Sequence, residues 1–137
     1  MITTDDLIES ARKYLGVKFK HQGRTSSGLD CAGLLIVSLK DLGVNPVDRT
    51  DYSIEPNPPQ MLEVIESNCY EIPKNNLKPG DVIWLKFLHD PQHLGLVTDV
   101  GIIHAYSTRK GVVEHAINKA WERRIMKAFR IKAVTYE

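Results

Sequence analysis

From Leu34 to Leu42 the apolar run is interrupted only by Ser38, Lys40 and Asp41. On a period of 3.6 residues, Leu34, Leu35, Ile36, Val37, Leu39 and Leu42 cover almost every face of a helix. A helix apolar all round has to be buried, so the rest of the chain must wrap around this segment. Gly28-Leu29 reads as a turn, and the Asp30 carboxylate is a good acceptor for a free N–H of the first helical turn. Gly43 is a natural residue just past a helix end. The spacing predicts a helix from about Cys31 to Leu42. At 137 residues the chain supports one core, and the expectation is a single domain over 1–137.

Cys31 opens this central helix. A thiol there sits at the positive end of the helix dipole, which lowers its pKa and favours the nucleophilic thiolate. First-turn N–H groups are also placed to stabilise an oxyanion. A lone Cys is more often a small core residue. The Asp30 cap, the helix start and two downstream histidines together favour a nucleophile.

His93-Leu94-Gly95-Leu96-Val97 is strand-like, Thr98-Asp99-Val100-Gly101 is a turn signal, and Ile102-Ile103-His104-Ala105-Tyr106 is a second strand. Folded symmetrically about that turn, Val97 opposes Ile102, Gly95 opposes His104 and His93 opposes Tyr106. His93 and His104 then share one face as diagonal neighbours, roughly 7–8 Å apart at the backbone and within reach of long side chains. A slip of one residue would separate them. Leu94, Leu96, Ile103 and Ala105 point to the other face, into a core. The pattern fits nucleophile, base and orienter, with Cys31 attacking, His93 moving the proton and His104 fixing the tautomer and aim of His93. Zinc held by Cys31, His93 and His104 would leave an open position, but no CxxC or HxxxH spacing supports it. No metal and no cofactor is expected.

The stretch Phe19-Lys20-His21-Gln22-Gly23-Arg24 followed by Gly28-Leu29-Asp30-Cys31-Ala32-Gly33-Leu34 resembles the nucleophile motif of the NlpC-type cell-wall cysteine peptidases. Leu77-Lys78-Pro79-Gly80-Asp81-Val82-Ile83 is similar to the turn and strand that precede that family's catalytic histidine. His93-Leu94-Gly95-Leu96-Val97 and Ile103-His104-Ala105 resemble its histidine strand and third polar residue. The tail, from Gly111 to His115 and through Trp121-Glu122-Arg123-Arg124 to Phe129-Arg130, is similar to the branch associated with phage tails and prophages. The resemblance implies an α+β, papain-like fold in which N-terminal helices, the nucleophile helix among them, pack on an antiparallel sheet. It implies hydrolysis of an amide in peptidoglycan stem peptides, often the γ-D-glutamyl to diamino-acid bond, with phage tail proteins as further partners. Three positions depart from the family pattern. Phe19 replaces a usual Tyr, His21-Gln22 a usual Trp-Gly, and Ala32 a usual Ser. These bear on substrate subsite and rate more than on reaction class. Two alternatives use the same scaffold: a non-catalytic tail assembly component, and an acyltransferase in which an amine or alcohol replaces water.

Eighteen basic against 17 acidic residues give a formal net charge of +1, so neither nucleic acid nor an acidic membrane surface is an expected partner. No apolar run reaches transmembrane length, and membrane insertion is not expected. Met1 to Asp6 lacks the basic start and apolar stretch of a signal peptide. The expectation is synthesis in the cytoplasm, with a virion tail or a holin-type route delivering the protein to a wall. Cys69 reads as a buried structural residue, and the two cysteines do not make a disulfide scaffold.

The remaining segments are read more coarsely. A first helix should run from about Thr4 to Leu15, with Leu7, Ala11 and Tyr14 on one stripe and Ile8 and Leu15 beside it. Lys18 to Ser27 reads as a polar loop that lines the cleft, with Phe19, His21 and Arg24, together with Asp30, as candidate substrate-binding residues. The long segment Asn45–Pro59 reads as a functional loop in which Tyr52 or Asp51 would close over substrate. A short helix follows at about Gln60–Ser67. Strands are expected at about Val82–Phe87, His93–Val97, Ile102–Tyr106 and Val112–His115, then a short helix at Asn118–Arg124 and a last strand at Ile125–Val134. His21, His89 and His115 are not expected to be catalytic.

Overall fold

The computed structural model describes residues 1–52, 59–87, 93–106 and 111–136. The central helix, α2 (Cys31–Lys40), has every residue from Cys31 to Leu39 buried. It ends slightly sooner than its apolar pattern suggests. Leu42 and Gly43 donate to Leu39 and Lys40, three residues back, and this tighter turn closes the helix. Before it lies α1 (Thr4–Arg12), started by a reciprocal capping box between Thr3 and Asp6. Leu7, Ile8 and Ala11 face the core as expected, but α1 stops short of Leu15, which is 45% exposed. The chain leaves the helix there because Gly16 N–H and Val17 C=O bond to the backbone of Val112.

Six strands form the main sheet: β4 (Cys69–Ile72), β5 (Val82–Leu85), β6 (His93–Val97), β7 (Ile102–Tyr106), β8 (Gly111–His115) and β9 (Ile125–Ile131). Their order is β4-β9-β5-β6-β7-β8, and every neighbouring pair is antiparallel. Two helices complete the layer, α3 (Pro59–Asn68) and the short α4 (Lys119–Glu122), the latter capped by Asn118. The fold is therefore α+β, with α2 packed against β6 and β7.

Alternation along the strands separates two apolar clusters. Leu94, Leu96, Ile103, Ala105 and Val112 join Leu7, Cys31, Leu34 and Leu35 in the larger one, beneath the helices. Ile83, Leu85, Val97, Ile102, Ile125 and Ala128 form the smaller one on the opposite face, edged by Phe87 and Trp121. A strand of period two, buried on both faces, produces this division.

Three expectations need correction. Lys18–Ser27 is not a featureless loop. It carries a small hairpin, β2 (Arg24–Thr25) against β3 (Gly28–Leu29), and Phe19 bridges to Leu29. The last strand does not continue to Val134. It turns at Lys132-Ala133, and β10 (Val134–Thr135) pairs in parallel with β1 (Ile2–Thr3). The strand β4 had no sequence signal of its own; Cys69 begins it and is buried opposite Ile131. His89 and residues 53–58 of the Asn45–Pro59 segment lie outside the described residues.

Candidate active site

The N-terminus of α2 is held by a buried ionic cage. Asp30 accepts from the Gly33 N–H at 2.7 Å, the N-cap bond expected from the sequence, and from the Gln22 N–H at 2.8 Å. Arg24 Nη1 donates to Asp30 Oδ1 at 3.0 Å, and the Tyr52 hydroxyl donates to Asp30 Oδ2. The other face of the Arg24 fork meets Asp48 through Nε at 2.9 Å and Nη2 at 3.1 Å, and Nη2 also reaches the Tyr52 hydroxyl at 2.9 Å. A bare carboxylate beside Cys31 would oppose a thiolate and offset the helix dipole. Arg24 neutralises it. Burial, with the Asp30 charge, pushes the Tyr52 phenol well above its ordinary value, so Tyr52 stays a hydrogen-bond donor.

This cage corrects the substrate-binding expectation for three residues. Arg24 has its donors engaged by Gly23, Asp30, Asp48 and Tyr52. Asp30 is 2% exposed and its oxygens are occupied. Tyr52 is fully buried, a pillar under the helix rather than a side chain closing over a cleft, while Asp51 pairs with Arg49 at the surface. Their polar groups are satisfied by one another and support the helix. Phe19 packs against the core, and His21 meets the Tyr52 ring edge-on at 5.6 Å between centroids.

Close packing ties the chain just before β2 to the helix. A methyl group at Gly33 would lie 2.0 Å from the Gly23 carbonyl oxygen and 3.1 Å from the Arg24 guanidinium. Only hydrogen fits there. Cys31 itself is buried, with Sγ 3.8 Å from Met61 Sδ of α3. It shares the wall of a small cavity with Leu34, Leu94, Gly95 and Ile103. Leu94 and Gly95 directly follow His93 on β6. The second thiol is of another kind: burial pushes Cys69 up to about 12.

On the sheet, Leu96 pairs with Ile103 and Val97 with Ile102, the register expected from symmetric folding about the turn. Gly95 lies against His104, and a Cβ on it would collide with the Ile102 side chain at 2.4 Å. The register brings the His93 and His104 rings together, with Nε2 of His93 2.6 Å from Nδ1 of His104. Both rings lie among aromatic side chains. Phe87 and Tyr106 lie 5.3 and 5.8 Å from the His93 ring, and Trp121 lies 5.2 Å from that of His104. Burial depresses the pKa of His93; burial, then repulsion from His93 and His115, depresses that of His104. Both rings are neutral near pH 7, so His93 has a lone pair with which to accept a proton.

Sequence reasoning missed the third ring. His104 Nε2 lies 2.9 Å from His115 Nε2, and His115 Nδ1 lies 2.9 Å from the Ala116 carbonyl oxygen. The signal was available. Tyr106 pairs with Gly111 and His104 with Val113, so His115 is the diagonal neighbour of His104. The rule that joined His93 to His104 applies again one strand over. Trp121, 4.6 Å from the His115 ring, had no such signal because it arrives from α4. Among the described residues, no group of three or more His, Cys, Asp or Glu is placed to hold a metal ion.

A capped cysteine helix packed on an antiparallel sheet that carries paired histidines defines a class of α+β domain with known relatives. The chain belongs to the NlpC/P60 family, whose model matches residues 16–130. It is similar to the probable endopeptidase NlpC of Escherichia coli K12, 29% identical over 91% of this chain and 76% of that protein. It is also similar to the murein DD-endopeptidase MepS/murein LD-carboxypeptidase of the same strain, at 23% identity over 91% of this chain and 61% of that protein. Among solved structures, the NlpC/p60 domain of the peptidoglycan hydrolase SagA superposes with a TM-score of 0.69 at 20% identity, covering 95% of this chain and all of that domain. RipD of Mycobacterium tuberculosis, described as a non-catalytic NlpC/p60 domain protein adapted to peptidoglycan binding, has the same fold. Its TM-score is 0.62 at 16% identity, over 94% of this chain and 96% of that one.

Proposed function

We propose that this chain is a cysteine hydrolase that cleaves an amide bond in peptidoglycan stem peptides, with the γ-D-glutamyl to diamino-acid bond as its target. The observation that carries this reading is the 2.6 Å contact between His93 and His104, made by neutral rings on strands packed against the cysteine helix. In the mechanism, His93 takes the proton of Cys31 as the sulfur attacks the amide carbonyl. N–H groups of the first turn of α2 receive the developing oxyanion. His93 then returns the proton to the leaving amine, and a thioester remains. Water, deprotonated by His93, hydrolyses it to a carboxylate and restores the thiol. Because burial favours the neutral imidazole, this reading favours general-base transfer at the moment of attack over a standing thiolate–imidazolium pair. His104 keeps the His93 ring aimed. Phe19 and His21, in the segment leading to the hairpin, are the residues assigned to substrate contact. Delivery to the wall by a phage tail, with tail proteins as partners, belongs to this proposal and rests on the resemblance of the C-terminal segment.

The RipD fold supports one competing reading, a peptidoglycan-binding domain without turnover. Digestion of purified sacculi followed by mass spectrometry of the released muropeptides separates the two. The wild-type chain should release stem-peptide fragments with a new free carboxylate, and Cys31→Ala should release none. Binding without release by the wild type would establish the non-catalytic reading. A product carrying a new acyl bond in place of the carboxylate would establish acyl transfer.

A further inference from the structure

We infer that His115 is a positioning residue that sets the tautomers of His104 and His93, and thereby selects the nitrogen of His93 left bare for the thiol. This deepens the proposed function and rests on the reading of Cys31 and His93 as nucleophile and base. The argument starts at the far end of the chain of rings. The Ala116 carbonyl oxygen, 2.9 Å from His115 Nδ1, can only accept, so the proton of His115 sits on Nδ1. A neutral His115 then offers a bare Nε2, and His104 Nε2, 2.9 Å away, must donate to it. A neutral His104 consequently has a bare Nδ1, and His93 Nε2, 2.6 Å away, must donate in turn. His93 is left with its proton on Nε2 and a lone pair on Nδ1. Three neutral rings on three adjacent strands are polarised in one direction by a single backbone carbonyl.

The direction can be reversed from the open end. His115 is partly exposed, whereas His93 and His104 are buried. A proton gained at His115 Nε2 makes both its nitrogens donors. His104 then accepts at Nε2 and, staying neutral, donates from Nδ1. His93 accepts at Nε2 and carries its proton on Nδ1, where the base was. One proton is gained in all, both inner rings change tautomer, and the base nitrogen is covered. Among the described residues, the groups facing His115 are His104 from β7 and Trp121 from α4, with the Arg124 guanidinium on the Trp121 ring at 5.1 Å. Its neighbour Glu114 is turned to the other face, bonded to Arg12 and Thr98.

Nitrogen-15 NMR of histidine-labelled protein reads these protons directly and needs no substrate, so its outcome is independent of whether peptidoglycan is cleaved. Near neutral pH the wild-type chain should show bare Nδ1 on His93 and His104 and bare Nε2 on His115. His115→Phe keeps a ring against Trp121 but removes the acceptor. His104 and His93 should then become tautomer mixtures, and kcat should fall about tenfold, as for loss of other orienting partners, with little change in KM. His115→Gln, whose amide oxygen can accept from His104, should restore the tautomers and most of the rate. A wild-type His93 protonated on Nδ1, or His93 and His104 tautomers unchanged in His115→Phe, would overturn the inference.

Discussion

Around the start of α2, buried polarity is ionic: Asp30, Arg24 and Asp48 share charge and bidentate hydrogen bonds in one fixed arrangement. On the strands carrying His93 and His104, buried polarity is neutral, and each ring holds a proton that can sit on either nitrogen. In the proposed hydrolase, the two regions serve one site with opposite requirements. A nucleophile has to be held still, and a guanidinium fork on a carboxylate loses little freedom per bond formed. A base has to exchange a proton without rearranging its surroundings, and neutral imidazoles in a desolvated row keep a bare nitrogen ready without placing a charge in the core at rest. Charge here provides rigidity, and neutrality provides proton mobility.

The sharpest way to break this contrast is to remove the charge from the cage. Asp30→Ala strands the Arg24 cation and removes the helix cap, and should cost about 3–5 kcal/mol of unfolding free energy by urea titration. A loss under about 1 kcal/mol would mean that the cage is not ionic in its energetics. The same truncation among the rings should affect rate more than stability. His104→Ala should lower kcat about a hundredfold while the urea midpoint moves less than in Asp30→Ala. If His104→Ala retains full turnover, His104 does not orient His93.

The mildest perturbation separates the regions by pH. The folded-state pKa values of His93 and His104 lie below the ordinary imidazole value of about 6.5, so below that pH the unfolded chain binds protons that the folded chain refuses. Stability should be complete above about pH 7. It should decline on acidification from about pH 6.5 toward the depressed values, by at most about 1.4 kcal/mol per pH unit for each ring. His104→Ala should flatten that slope, while Arg24→Lys should leave it unchanged. A melting temperature that does not vary between pH 7 and 5 would show that the rings are not buried neutral.

Local pattern accounts for most of what the sequence disclosed. The cap at Asp30, the all-round apolar helix and the His93–His104 diagonal are short-range consequences of period 3.6 and period 2, and each is present in the fold. What stayed hidden depends on long-range partners. Arg24 and Tyr52 are as plausible at a cleft as in a cage until Asp48 and Asp30 are seen beside them. The α1 terminus is set by backbone bonds from Gly16 and Val17 to Val112, some 95 residues away along the chain. His115, at the end of its strand, follows from the same hairpin rule applied one strand further along.

Gly33 carries a practical consequence. With the Gly23 carbonyl oxygen 2.0 Å from where its first side-chain atom would be, the helix turn and the segment entering the hairpin interlock like two teeth of one gear. In a randomised library spanning residues 20–33, they should therefore drift as a single unit. Surviving clones would keep both glycines together or replace the whole stretch, and exchange between homologues would succeed only when the crossover falls outside it.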